Sequence, residues 1–166
     1  MTIREKFGSF SGLKMCFIGD GNNMANSLIV GGLKVGMNVA VATPDGYKPD
    51  GAVLEFTKGY GDKFALETDP FMAASGADIL ITDTWTSMGE EAEKEERKKI
   101  FKDYQINRQL LAAANAGAMV QHCLPAYRGQ EITEEVFEEH ADEIFNEAEN
   151  RLHAQKSVMV KLMKKD

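Results

Sequence analysis

Only two cysteines occur in the 166-residue chain, Cys16 and Cys123, both in apolar surroundings and without a C-x-x-C pair. A disulfide framework is thereby excluded, and reduced thiols in a cytoplasmic protein are the expectation. No apolar run approaches the roughly 18 to 20 residues that cross a bilayer, so no membrane partner is expected. The start, MTIREKFG, has no apolar h-region, and no signal peptide is expected. Positive charge is also scarce: 19 Lys and Arg stand against 26 Asp and Glu, a net charge of −7. Such a field repels nucleic acid and anionic lipid, so any anionic ligand must be held by a local device. There is no internal repeat, low-complexity tract or linker. What is present, 43% hydrophobic and 27% charged residues, is the composition of one ordinary globular domain spanning residues 1–166.

The chain reads as strand, turn and helix, repeated. Leu13 to Ile18 (LKMCFI) is an apolar run ended by Gly19-Asp20-Gly21-Asn22-Asn23, and Met24 to Leu33 follows as a helix closed by Gly36. Further strands are predicted at Met37 to Thr43, Phe64 to Glu67, Ala77 to Thr82 and Ala118 to His122. Apolar runs between helical patterns predict an α/β fold: a three-layer, doubly wound (Rossmann-like) parallel sheet of about five strands flanked by helices. Asp69-Pro70 opens a helix and Gly76 stops it. Glu90 to Lys99 (EEAEKEERKK) holds nine charged residues in ten and reads as a solvated helix face, with Glu93 and Arg97, and Glu95 and Lys99, at i,i+4. The pattern predicts one helix continuing through Phe101 to Ala114, with Ile100, Tyr104 and Leu111 turned inward. Pro125 opens a loop, Thr133 caps a short helix, and a last helix covers about Asn146 to Met163.

In such a sheet the ligand sits beyond the carboxyl ends of the strands, which gives weight to the residues directly after each one. After the first strand, Gly19-x-Gly21 invites a dinucleotide reading. Met24 holds the place of the third glycine, however, and the second strand ends in Thr43-Pro44 without an acidic ribose ligand, so no nicotinamide cofactor is expected. The turn instead sets Asn22 and Asn23 at a helix N-terminus, which favours a carboxylate or phosphate; the alternative is that one Asn is simply the cap. After the fourth strand stands Asp83, followed by Thr84-Trp85-Thr86-Ser87-Met88-Gly89-Glu90, in which Ser87 and Glu90 have capping-box spacing. A carboxylate one turn of loop from an open helix N-terminus suits a zwitterion, with Asp83 taking an ammonium and the amides a carboxylate. A plain turn residue is the rival reading. After the fifth strand comes Gln121-His122-Cys123-Leu124-Pro125-Ala126-Tyr127-Arg128-Gly129. His122 beside Cys123 lacks zinc-ligand spacing and only His140 and His153 remain, so no metal is expected. Cys123 is a nucleophile or a polar lining group, and spacing does not decide which. Cys16, in mid-strand, is inert core.

Taken together, GDGNN at 19–23, DTWTSMG at 83–89, HCLPAYRG at 122–129 and EAENR at 147–151 resemble the ornithine carbamoyltransferases, in order and spacing, over nearly the whole chain. The resemblance implies transfer of the carbamoyl group of carbamoyl phosphate to the δ-amine of L-ornithine, giving citrulline and phosphate, with no cofactor. It also implies two α/β domains, of which this is the second, ornithine-binding one. Asn23 matches the family's asparagine for the ornithine carboxylate, and Asp83 matches the carboxylate for its α-ammonium. Ser87 and Met88 match the loop that closes over the amino acid. Cys123 matches the active-site cysteine beside the δ-amine; Cys123 and Leu124 together match positions contacting the carbamoyl group, and Arg151 an arginine contacting carbamoyl phosphate. The relatives that use aspartate carry a different residue in place of Cys123, so the thiol favours ornithine. Cys123 would then be a binding and desolvating neighbour of the amine, not a covalent nucleophile.

The family's S-x-R-T and H-P-x-Q segments, which hold carbamoyl phosphate in the first domain, do not occur among the 166 residues. The expectation is therefore that this polypeptide by itself does not turn over, and that Met1 to Glu5 resembles the tail of an interdomain helix. Residues 147–166 match a C-terminal helix that packs on the first domain. Its stripe of Ala148, Leu152, Met159, Leu162 and Met163 would lose that partner where the domain is absent: either the helix folds onto its own sheet, or it pairs with another copy or is swapped. The alternative function is a non-catalytic amino-acid-binding or regulatory module.

Overall fold

The structure is a computed structural model that describes residues 1–86 and 93–164. Five strands, β1 (Lys14–Ile18), β2 (Asn38–Ala42), β3 (Phe64–Glu67), β4 (Ile79–Thr82) and β5 (Met119–His122), form one parallel sheet in the order β3-β2-β1-β4-β5. This is the predicted doubly wound α/β architecture. The helices are α1 (Thr2–Phe7), α2 (Asn23–Lys34), α3 (Gly51–Thr57), α4 (Pro70–Ala74), α5 (Lys94–Phe101), α6 (Arg108–Ala113), α7 (Glu134–Glu139) and α8 (Ala141–Met163). Alternate strand residues feed two cores. Cys16, Ile18, Ala40, Leu80 and Val120 face α4, Phe101, Leu110 and Ile144, whereas Met15, Phe17, Val39, Ile79 and Met119 face Ile29 and Leu33 of α2. Both faces are covered, which is why the strands read as continuous apolar runs.

Helix starts are capped at Asn22, Asp69 and Thr133, as the sequence suggests, and also at Asp50 and Asn107; each side chain accepts a backbone N–H of the first turn. The predicted single helix from Glu90 to Ala114 does not form. Residues 87–92, with Ser87, Met88 and the Ser87–Glu90 capping box, lie outside the described residues. Beyond them α5 ends at Phe101, a 3₁₀ turn spans Lys102–Tyr104, and α6 starts afresh at Arg108. Three side-by-side demands break the helix: the Tyr104 hydroxyl donates to Thr68 O (2.6 Å), Ile106 exchanges backbone bonds with Glu131 and Thr133, and the Asn107 side chain accepts from Leu110 N. A pattern of inward residues at helical spacing cannot reveal such long-range partners.

The last helix begins at Ala141, earlier than predicted, because its first turns lie against the exposed edge of β5. Glu143 and Glu147, one turn apart, accept the free N–H groups of Val120 (3.0 Å) and His122. Glu143 also takes Lys6 of α1 and His140, and Asn150 donates to Thr2 and Glu5, so α1 is tied to α8. From Arg151 to Lys164 every residue is exposed. Among the described residues no helix is long and apolar enough to cross a membrane.

Candidate functional site

Strand order reverses between β1 and β4, and the turns that follow these two strands define the crevice at their carboxyl ends. The Thr82 hydroxyl donates to Ile18 O (2.7 Å) and fastens the two strand ends together. Gly21 enters the first turn pressed against the β2–α3 loop: its N–H donates to Tyr47 O (2.9 Å), and a Cβ there would lie 2.3 Å from the Lys48 carbonyl carbon. Only glycine fits. The turn delivers Asn22 and Asn23 to the start of α2 in different roles. Asn22 Oδ1 caps the helix by accepting from Met24 N (2.9 Å) and Ala25 N (3.2 Å), while Asn23, the first helical residue, is exposed beside it.

Asp83, directly after β4, is the centre of the site. Its Oδ1 accepts the Cys123 thiol (2.8 Å) and Thr84 N–H (2.7 Å), and its Oδ2 accepts Asn22 Nδ2 at 3.4 Å. Asp83 thus contacts a residue that follows each of two other strands, Asn22 and Cys123. Burial, then the hydrogen bond and the charge of Asp83, push the Cys123 thiol well above the ordinary thiol range. It is placed as a donor to Asp83, an arrangement that disfavours a resting thiolate. Cys16, wholly buried in β1, is pushed up to about 12 by desolvation.

The turn that carries Cys123 and Leu124 is set by a buried pair that spacing did not reveal. His122 and Glu131 are both 0% exposed. Leu124 N–H donates to His122 Nδ1 (2.9 Å), which places the ring proton on Nε2, facing Glu131 Oε1 at 3.0 Å; the same oxygen accepts Tyr127 N–H (2.6 Å). Leu124 itself sits at φ 55°, and the Leu124–Pro125 peptide is cis. Asp83, His122 and Cys123 bring potential metal-ligand atoms within 4.8 Å of one another. Both His122 nitrogens are already engaged, by Leu124 N–H and by Glu131, so the ring offers no spare donor to an ion. Glu147 closes the back of the cluster. One oxygen takes His122 N–H and Oε2 is buried without a partner among the described residues; burial holds its carboxyl above the usual range against the pull of His122. Arg151, one turn further along α8, is exposed.

Sequence spacing also misplaced Arg97, which is not on a solvated face but 4% exposed and stacked over Tyr47 and Phe101. The signal available was its place on the stripe Arg97, Phe101, Tyr104, drowned by eight charged neighbours. Glu95 bonds to Lys98 at 2.8 Å, while Glu93 lies 3.7 Å from Arg97 Nη1.

Comparison with known proteins bears on the family and the fold. An ornithine carbamoyltransferase from Gloeobacter violaceus is 55% identical over 98% of this chain and 53% of its own length. The solved ornithine carbamoyltransferase from Pyrococcus furiosus superposes with a TM-score of 0.87 at 46% identity, over 96% of this chain and 52% of that one. A solved N-acetyl-L-ornithine transcarbamylase, 26% identical, gives a TM-score of 0.80 over 98% of this chain and 53% of that one. The chain spans about half the length of the curated relatives it matches. Residues 11–162 match the family profile described as aspartate/ornithine carbamoyltransferase, Asp/Orn binding domain, and the chain therefore belongs to that family.

Proposed function

We propose that the chain is the L-ornithine-binding half of an ornithine carbamoyltransferase. The observation that carries this reading is Asp83, a carboxylate at the switch point oriented by Cys123, Thr84 and Asn22 and lacking a cationic partner among the described residues. It takes the α-ammonium of a free amino acid, and Asn23 with the amino end of α2 takes the α-carboxylate. The side chain of ornithine then runs toward Cys123 and Leu124. There the δ-ammonium sheds a proton before its lone pair attacks the carbonyl carbon of carbamoyl phosphate, and phosphate leaves. Cys123 lines and desolvates the amine as a neutral thiol. Ser87 and Met88 are assigned to the loop that closes over the amino acid, on the motif alone.

Carbamoyl phosphate is bound with a first domain, to which this chain contributes Leu124 and Arg151; the exposed end of α8, within residues 147–166, packs on that domain. Without it, the same helix associates with a second copy. The two free thiols fit a cytoplasmic enzyme. The relatives named above are carbamoyltransferases or transcarbamylases, and no observation favours a purely regulatory module.

Calorimetry tests the reading. Ornithine should bind, and Asp83→Asn should weaken it by about 1.5–3 kcal/mol, roughly 10- to 150-fold. N-acetylornithine, whose α-nitrogen carries no charge, should bind wild type weakly and be nearly indifferent to the substitution. Citrulline should form only when a first domain and carbamoyl phosphate are added. Ornithine affinity untouched by Asp83→Asn would overturn the assignment.

A further inference from the structure

Arg97 joins four segments at the carboxyl edge of the sheet. Its Nε donates to Trp85 O (2.5 Å), in the loop that follows Asp83. Its Nη2 pairs with Asp20, in the turn that leads to Asn22 and Asn23. The guanidinium lies 4.9 Å over the ring of Tyr47, whose carbonyl accepts Gly21 N–H, and 5.3 Å over Phe101 of its own helix. A buried cation costs several kcal/mol in desolvation unless its charge and donors are met, and a well-packed apolar residue would fill the same volume without that cost. What an apolar residue would not do is bridge two turns. The planar fork can hold the Asp20 carboxylate and the Trp85 carbonyl at once; a lysine ammonium is a single point charge and cannot span both with the same geometry. One bridged turn carries the asparagine pair and the other begins at Asp83, so the fork fixes the distance between the two ends of the crevice.

We propose that Arg97 is a positioning residue for the amino-acid site: by bonding Asp20 and the Trp85 carbonyl together, it holds the Asn22–Asn23 turn and the Asp83 loop at the separation a single amino acid must bridge. The proposal rests on the reading that these two turns grip the α-carboxylate and α-ammonium. Binding a ligand at two fixed points depends on their spacing to fractions of an ångström, so loosening the bridge weakens ligand without unfolding the sheet.

The test uses the 166-residue chain with Arg97→Lys and Arg97→Met and two readouts. The first is backbone amide exchange without ligand. In Arg97→Met, the protected amides of Gly21, Met24, Ala25 and Thr84 should exchange at least ~10-fold faster, while those of β1, β2 and β4 stay within about twofold of wild type. Arg97→Lys should lie between the two. The second is ornithine affinity, expected to fall at least ~10-fold in Arg97→Met and less in Arg97→Lys. Unchanged exchange in the two turns, or an equal rise across the whole sheet, overturns the positioning role. So does wild-type ornithine affinity in a folded Arg97→Met chain. If Arg97→Met does not fold, the same criteria apply to Arg97→Lys. Should wild type fail to bind ornithine, the amino-acid reading falls while the exchange measurement still decides the bridge.

Discussion

The Cys123 thiol and the Asp83 carboxylate are 2.8 Å apart, and which of them holds the proton sets the chemistry open to the site. Burial, the hydrogen bond to Asp83 and the adjacent negative charge all disfavour a thiolate. This predicts slow alkylation. At pH 8, iodoacetamide should modify Cys123 at least ~10-fold more slowly than a free cysteine of ordinary pKa. Asp83→Asn, which removes the like charge, should speed the reaction several-fold, and Cys16 should stay unmodified in the folded chain. Rapid labelling of wild-type Cys123, followed by mass spectrometry, would restore the nucleophile reading. At this scale sequence located Asp83, Cys123 and the asparagine pair at the carboxyl ends of their strands, because each follows an apolar run whose end is readable. It missed Glu131 and Arg97, whose decisive partners, His122 and Asp20, lie nine and 77 positions away in a fold that brings loops together.

Elements differ in how far their neighbours decide them. The five strands needed only the length and spacing of apolar runs, and their observed bounds fall within or on the predicted ones. The break between α5 and α6 needed Thr68 and Glu131, which no local pattern contains. The seating of α8 on the sheet is likewise a long-range matter, and Glu143 is its pivot. Burial alone would raise the Glu143 carboxyl, but hydrogen bonds from His140, Lys6 and Val120 N–H outweigh it and pull it down to about 2. A carboxylate depressed in the folded state adds stability that is fully present above its unfolded value near 4.5 and is lost as pH falls toward 2. Glu143→Gln should therefore destabilise the chain at pH 7 by about 1–3 kcal/mol, a range discounted for the partial exposure of the group. Denaturant titrations at several pH values should show the gap between wild type and variant shrinking between about pH 4.5 and 2. A gap independent of pH would place the loss in packing and not in charge.

For the molecule as a whole, the decisive feature is the helix that leaves it. The first turns of α8 are held by β5 and α1, but from Leu152 onward nothing among the described residues covers it: Leu152, Met159, Leu162 and Met163 are 65%, 55%, 80% and 80% exposed. A solvated helical segment of about thirteen residues is marginal on propensity alone, since nucleation is offset only by its continuity with the seated turns. Apolar side chains at 152, 159, 162 and 163 fall on one stripe, and burying them against a partner would both remove that surface from water and order the helix. In the absence of a first domain, a second copy presents the same stripe, and a twofold pairing is self-complementary. Light scattering of the chain should accordingly show mass rising with concentration. Met159→Glu with Leu162→Glu should return it to monomer while leaving ornithine affinity within about twofold, because both positions lie well beyond the strand ends that carry Asp83 and Cys123. Adding a first domain should compete with self-association and give a one-to-one complex. A strict monomer whose residues 152–163 nonetheless resist amide exchange would show that the helix is stabilised within its own chain, and would remove the stripe as an interface.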